Sequence, residues 1–560
     1  DMQDIEFTIQ EGRLYMLQCR TGKRTAAAAL NMAMDMFDQG MIDEKTMICR
    51  LDPKVLDDML HPIVDPAEEL KATKIAEGLP AGPGGAFGQI VFSAEDAVQW
   101  AKTGKKVILI REETNPEDIE GMRAASAILT ARGGMTSHAA LVARGWGKCC
   151  IVGAGALKIN TEARQVRAGT RVFNEGDIFT LNGTKGMVYE GCLKMKDASE
   201  NKRFQQFMTT ADKYRTMMVR TNADTPEDAK TALEFGAQGI GLFRTEHMFY
   251  GADSDQALFL LRKMILSQSS QERQTALDEL FPHVKKEIYE TLKVMDNLPV
   301  TLRLLDPPLH EFVPQSRANQ EEIAKALSID FEEVIRRSSL LKESNPMIGH
   351  RGVRLGITFP EITRMQIRAI FEASAQLVSE GKTPLPEIMV PVTCNEKELE
   401  FTNKIVKACY KDVLEKYGLG SINYMFGTMI EIPRAALVAD KMAETAEFFS
   451  FGTNDLTQMS FGFSRDDIGS FMNDYIDNAI LGSDPFETLD QEAVGSLIEI
   501  SVERGRKTRP DIKLGICGEH GGDPVSVEFC HRTGLTYVSC SPYRVPIARL
   551  AAAQAAIKYN

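Results

Sequence analysis

Positive charge is in short supply in this chain: 65 Lys and Arg stand against 78 Asp and Glu, a formal charge of -13. Binding a nucleic-acid backbone needs a basic face that displaces counterions, so no nucleic-acid partner is expected. A small anionic substrate stays open, since a few local arginines suffice for it. Long apolar runs are missing too. No segment reaches the roughly 18 consecutive apolar residues of a membrane helix, and no basic-then-apolar leader opens the chain. No membrane partner is expected, and cytoplasm is the default location. Ten cysteines contain no Cys-x-x-Cys pair, and adjacent Cys149 and Cys150 suit an ordinary disulfide framework poorly. A reducing compartment follows. The chain also lacks an initiator methionine, starting at Asp1 inside strand-like text. It reads as a piece of a longer protein, and a plastid leader would be lost with the missing part.

What is present suffices for three or four units: 560 residues, 43% hydrophobic and 26% charged. Asp4–Ile9 and Leu14–Arg20 alternate around Gln10-Glu11-Gly12-Arg13, which predicts a β-hairpin over residues 1–22. Residues 23–78 form a helical connector, with helical spacing over Ala26–Phe37 and Ala67–Ala76. The Pro/Gly cluster Leu79–Gly85 opens a compact α/β domain, 79–191, whose helices begin after Ser93, a capping box with Asp96, and at Asn115-Pro116. A second helical connector covers 192–216. From 217 to 560, strand and helix alternate eight times: Met218–Thr221, Gly239–Arg244, Val300–Asp306, Glu387–Val392, Asn423–Glu431, Phe448–Asp455, Leu514–Glu519 and Tyr537–Ser541. The fold class is α/β, with the smaller domain followed by a (β/α)8 barrel. An open doubly wound sheet is the alternative, because strand order cannot be read from sequence.

Two constellations carry chemistry. In Ala127–Arg144, a strand, a glycine turn and an Ala-rich helix place His138 at the helix start, where exposed N–H groups and the dipole favour an anion. Imidazole is nucleophilic near neutral pH, and Thr136 or Ser137 could cap the helix and bond phosphoryl oxygens. In the barrel, polar residues fall at the C-terminal strand ends, where such folds build active sites. Arg244 and Arg303 offer paired donors for a phosphate, with Arg351 a third candidate. Glu431 and Asp455, with positions open for substrate oxygens, suit Mg2+ better than a soft metal. Gly452, Thr453 and Asn454 would present backbone and amide donors beside the phosphate. Cys517 could exchange a proton with the carbon of an enolate held over it.

The run Gly133-Gly134-Met135-Thr136-Ser137-His138-Ala139-Ala140, followed by Ala143-Arg144, resembles the phosphohistidine domain of the phosphoenolpyruvate-utilising enzymes. Arg244–Phe249, Leu305–Phe312, Gly452–Gln458 and Gly515–Pro524 resemble the barrel of the same enzymes, in the right order. The resemblance covers essentially the whole chain. It implies a transferase whose catalytic histidine, His138, moves a phosphoryl group between a nucleotide site and the barrel. The overall reaction implied is ATP, pyruvate and phosphate to AMP, phosphoenolpyruvate and diphosphate. Carried over by residue, Arg244 and Arg303 bind the phosphoryl group, Glu431 and Asp455 hold Mg2+, Gly452–Asp455 line the substrate and Cys517 protonates the enolate. Thr136 matches a threonine phosphorylated for regulation in plant-type members. Glu6, Gln18 and Arg20 match nucleotide-facing positions at the end of an ATP-grasp domain whose bulk is absent, so only the phosphoenolpyruvate/pyruvate half reaction is expected. Family members are commonly homodimers. Members that pass their second phosphate to water, sugar-phosphotransferase members and a non-catalytic phosphocarrier are the competing readings. The Gly-Gly-Met-Thr-Ser-His version, the opening hairpin and the intact Cys517, Glu431 and Asp455 argue against them in turn.

Overall fold

The structure, a computed structural model, describes residues 2–22, 24–115, 118–134, 137–145, 147–196, 202–250, 254–314, 316–465 and 467–559. It divides into two compact units, residues 1–214 and 215–560. All ten cysteines are free, and among the described residues no helix is long and apolar enough to cross a membrane.

The first unit opens on the expected hairpin, Gln3–Gln10 paired with Arg13–Thr21. Glu11 and Gly12 both have positive φ, 51° and 75°, the backbone that a two-residue hairpin turn demands. Helices Ala26–Asp38, Glu44–Cys49 and Lys202–Asp212 pack together, joined by Arg203 to Asp35 at 2.6 Å and Tyr214 to Glu44 at 2.7 Å.

The remaining part is built on an eight-stranded sheet, with a three-stranded antiparallel sheet, Leu157–Asn160, Gln165–Ala168 and Arg171–Asn174, beside it in sequence. The order of the eight strands is Lys74–Glu77, Met187–Glu190, Ile178–Asn182, Gly85–Val91, Val107–Arg111, Ala127–Thr130, Cys149–Val152 and Leu79–Gly82. The four strands from Gly85–Val91 to Cys149–Val152 run parallel. Ala127–Thr130 and Cys149–Val152 are buried throughout, as strands covered on both faces must be.

Two local expectations change. Ala67–Ala76 is not one helix: a short turn, Pro66–Glu69, is capped by Asp65, and Lys74–Glu77 becomes an edge strand, its backbone groups satisfied by Met187–Tyr189. Its charged Lys74 and Glu77 suit an exposed edge. The helix expected directly after Asn115-Pro116 is Ile119–Ala124 and has no side-chain cap bond; Asp118 just before it accepts instead from Asn115 N at 2.9 Å; Pro116 lies outside the described residues. Ser93 caps Ala94–Lys102 as expected, accepting from Asp96 N at 3.0 Å.

The second unit is a closed parallel barrel. Its strands are β1 (Met218–Asn222), β2 (Ile240–Arg244), β3 (Pro299–Arg303), β4 (Leu385–Val390), β5 (Met425–Ile430), β6 (Phe448–Phe451), β7 (Lys513–Ile516) and β8 (Tyr537–Cys540). Hydrogen bonding of Met218–Thr221 to Tyr537–Cys540 joins the last strand to the first, so the open doubly wound alternative is excluded.

The barrel axis is not wholly apolar. Arg220, with no exposed surface, donates to Glu387 at 2.8 Å and lies 4.0 Å over the Tyr537 ring, while Lys513 donates to the same carboxylate at 2.6 Å. Buried charges are tolerated only as a compensated set. Glu387→Ala, which leaves both cations unpaired, is therefore expected to cost about 3–5 kcal/mol of stability in denaturant unfolding. A loss below about 1 kcal/mol would show that the charges are hydrated instead.

Candidate active site

The barrel rim gathers the polar side chains. Arg244 and Arg303 are the last residues of adjacent strands and are paired in register. Each is held by acids: Arg244 forks onto Asp224 at 3.1 and 2.6 Å, and Arg303 bonds Glu246 and, at 2.9 Å, Asp306. Arg351 joins them, forking onto Asp306 at 2.8 Å and reaching Asp455 at 3.3 Å. Burial opposes ionisation of Asp224, but the Arg244 guanidinium and then His247 overcome it and hold the carboxyl well below the usual range. Arg303 Nε and Glu246 Oε2 are buried with no hydrogen-bond partner among the described residues. An orphaned donor on a buried guanidinium is costly unless something anionic meets it.

Three expected strand-end residues sit just past their strands. Glu431 follows β5, Cys517 follows β7, and Asp455 lies in the first turn of helix Thr453–Phe461. Val392 has φ +60°, a strained value for a β-branched residue, and in that conformation its N–H donates to Glu431 Oε1 at 2.6 Å. Glu431 is raised well above the ordinary glutamate range by burial and by the nearby Asp455 and Asp306, against Arg351 and Arg303.

Burial pushes the Cys517 thiol up to about 11, with the Ser450 hydroxyl and the arginines Arg303 and Arg244 pulling the other way. Its backbone carbonyl accepts from Asn222 Nδ2 at 2.9 Å, and Asn222 Oδ1 accepts from Ser539 at 2.6 Å.

Gly452 cannot offer its amide, because that N–H donates to Ile430 O at 3.0 Å. Thr453, Asn454 and Asp455 occupy the first helical positions, whose N–H groups lack intrahelical acceptors. Asn454 Oδ1 is buried without a partner among the described residues. Gly452 must lack a side chain, since a Cβ there would meet Glu431 Cβ and Met429 Sδ at 2.8 Å. No cluster of three or more metal-ligating side chains occurs among the described residues.

In the first unit, His138 opens helix His138–Gly145 after strand Ala127–Thr130. Its Nδ1 lies 3.0 Å from Thr114 Oγ1. Burial lowers the imidazole below the ordinary histidine value, against the pull of Asp118. Gly133, at φ +106°, makes the turn, and Ser137 Oγ is buried with no partner among the described residues. Thr136 lies outside the described residues. Glu6 and Gln18 are cross-strand neighbours in the hairpin, and Arg20 pairs with Asp4 at 2.8 Å. Alternation along Arg13–Thr21 puts Gln18 and Arg20 on one exposed face.

Asp224, Glu246, Asp306, Asn222, Thr114 and His520 escaped the sequence reading. Glu246, Asp306 and His520 stood inside recognised motifs, so a search for acids partnering the arginines could have found Glu246 and Asp306. Nothing local marks Thr114, whose role depends on a contact 24 residues away.

Arginines, acids and a thiol thus stand at the rim of a closed parallel barrel, the end at which such barrels build active sites, and a histidine opens a helix in the preceding unit. Residues 198–557 match the PEP-binding domain of the PEP-utilising enzymes and residues 103–186 their mobile domain, so the chain belongs to that family. It is 54% identical over its whole length to pyruvate, phosphate dikinase of Clostridium symbiosum, and 52% to that of Rhizobium meliloti (strain 1021). To the chloroplastic pyruvate, phosphate dikinase of Flaveria pringlei it is 51% identical, again over its whole length. The chain spans 63%, 62% and 58% of these relatives, respectively.

Gly518 tests the packing of the rim. A Cβ there would collide with Thr453 Oγ1, whereas Gly420 faces open space. Gly518→Ala is expected to lose about 1–3 kcal/mol in chemical denaturation, and Gly420→Ala less than about 0.5. Equal effects would show that the rim relaxes freely.

Proposed function

We propose that this chain carries a phosphoryl group on His138 and exchanges it with phosphoenolpyruvate and pyruvate in the barrel. The observation that carries the reading is the set of arginines gathered at one rim, Arg244, Arg351 and Arg303 with its Nε unpartnered among the described residues, beside the buried Cys517 thiol. The donor set also suits a hard cation: the carboxylate oxygens of Glu431 and Asp455 are the ligands Mg2+ takes. Glu431, destabilised as an anion by burial and by two acids, would be relieved by that charge. When bound, Mg2+ would neutralise charge developing on the enolate oxygen.

The residues divide the work as follows. His138, donating its Nδ1–H to Thr114, keeps the Nε2 lone pair free as nucleophile. Nε2 bonds to phosphorus as the bond from phosphorus to the enol oxygen breaks, leaving phosphohistidine and the enolate of pyruvate. Arg244 and Arg303 hold the phosphoryl oxygens through charge-assisted bonds from the N–H groups that their acid partners leave over, Arg303 Nε among them. Cys517 gives its proton to the methylene carbon, completing pyruvate, and the resulting thiolate is reprotonated before the next turnover. Run backwards, the thiolate is the base. Thr453, Asn454 and Asp455 amides face the substrate anion.

The full reaction, with ATP and phosphate giving AMP and diphosphate, extends this reading through the likeness to the dikinases, as does a homodimeric assembly. Glu6, Gln18 and Arg20 then belong to the nucleotide side, and Thr136 to regulation. Domain limits near 22, 78, 191 and 216 go with it, the sheet taking in Lys74–Glu77.

Incubation with labelled phosphoenolpyruvate and Mg2+ is expected to leave acid-labile label on the parent chain and none on His138→Ala; an unlabelled parent overturns the reading. Cys517→Ala is expected to lose at least about 100-fold in pyruvate formation, measured by coupled reduction of pyruvate. Thr114→Val frees the ring tautomer and should slow labelling about tenfold without lowering stability. Because burial lowers the His138 pKa, the labelling rate should stay flat as pH falls toward about 6.5 and drop only below it. A decline that begins above about pH 7 would contradict that environment.

A further inference from the structure

His520 lies in the Gly515–Pro524 motif, yet the chemistry above gives it no task. It has no exposed surface. Its Nε2 lies 2.9 Å from the Pro485 carbonyl oxygen and its Nδ1 lies 2.7 Å from Thr453 Oγ1. A carbonyl oxygen only accepts, so Nε2 must carry the proton. In the neutral ring Nδ1 is then an acceptor, and the Thr453 hydroxyl must donate to it. Burial, which lowers the imidazole pKa against the Pro485 bond and the nearby Asp523 and Glu519, keeps the ring neutral.

The surroundings are shaped for this contact. Gly518 has no Cβ to block Thr453 Oγ1, and Gly521 has none to strike Ser539 O. Pro485 lies within a segment with its own apolar cluster, Ile468, Met472 and Phe486. That segment has a second anchor: Leu489 N donates to Ser526 Oγ at 3.0 Å. Loss of His520 would therefore free Thr453 while Leu489 stays pinned.

We propose that His520 is a positioning residue of the barrel site, fixing the Thr453 hydroxyl, and with it the first turn whose amides face the substrate anion, by bridging Thr453 to the Pro485 carbonyl. This rests on the reading of Thr453–Asp455 as substrate-facing. The bridge acts in the ground state and the transition state alike, so its loss raises KM and leaves kcat nearly unchanged.

The test measures His138 labelling by phosphoenolpyruvate with Mg2+ in the full chain. His520→Phe is expected to raise KM about tenfold, with kcat within about threefold. His520→Gln, whose amide can donate to Pro485 O and accept from Thr453, is expected to recover most of the affinity. Should His520→Phe fail to fold, Thr453→Val, which removes the hydroxyl and keeps the amide, is expected to give the same KM rise. Nitrogen NMR of labelled histidine is expected to report a neutral, Nε2-protonated ring at His520. An unchanged KM, a fall in kcat alone, a Gln variant no better than Phe, or an Nδ1-protonated ring would overturn the inference. A parent chain that takes no label overturns the barrel reading and this inference together, whereas a labelled parent with an unchanged KM in His520→Phe overturns the inference alone.

Discussion

Two buried guanidinium groups share one carboxylate at the centre of the barrel rim. Asp306 Oδ2 lies 2.9 Å from Arg303 and 2.8 Å from Arg351. Without it the two cations would repel each other in a medium that screens them poorly. Burial works against its ionisation, but Arg303 and Arg351 more than offset that and hold the carboxyl below the usual range. Its backbone carbonyl also accepts from Gly352 N at 2.9 Å, which ties down the segment that carries Arg351. From this point the network runs outward, through Arg303 to Glu246 and through Arg351 to Asp455. The cations are thus positioned before any substrate arrives, and positioning in advance is where electrostatic catalysis gains most.

Around that network the barrel sorts protonation states by environment. Cys517 faces a buried position that keeps it a thiol, while Asp224, beside Arg244 and His247, is kept ionised. Glu431 lies between, disfavoured as an anion by burial and its acidic neighbours yet approached by Arg351 and Arg303. A site of this kind responds strongly to an added charge, whether a cation beside the acids or an anion beside the arginines. The strained backbone of Val392, which orients Glu431, shows that local conformational energy is spent on the geometry.

The histidine unit uses different means. His138 opens a helix after the glycine turn at Gly133, and the Thr114 hydroxyl, 3.0 Å from Nδ1, fixes the direction of the ring. The helix is seated by Ala139, Ala140 and Ala143 against Val91, Ile128 and Val152. Small residues there let the helix approach the sheet closely, and the imidazole is presented at its end.

Residue type and periodicity alone determined much of this: eight strand–helix alternations, a histidine at a helix start, and a rim of arginines, acids and a cysteine at strand ends. These are local properties, written in hydrophobic period, caps and turns. Closure of the barrel was beyond the sequence, because it depends on pairing of Met218–Thr221 with Tyr537–Cys540, more than 300 residues away. So were the partners. Asp306 between two arginines, Thr114 against His138, His520 against Thr453 and the left-handed Val392 all arise from contacts or backbone states that three-dimensional packing imposes. The commitment of the Gly452 amide to Ile430 has the same origin. Sequence named the groups that do chemistry; tertiary structure decided their protonation, tautomer and direction, since those depend on what each group touches.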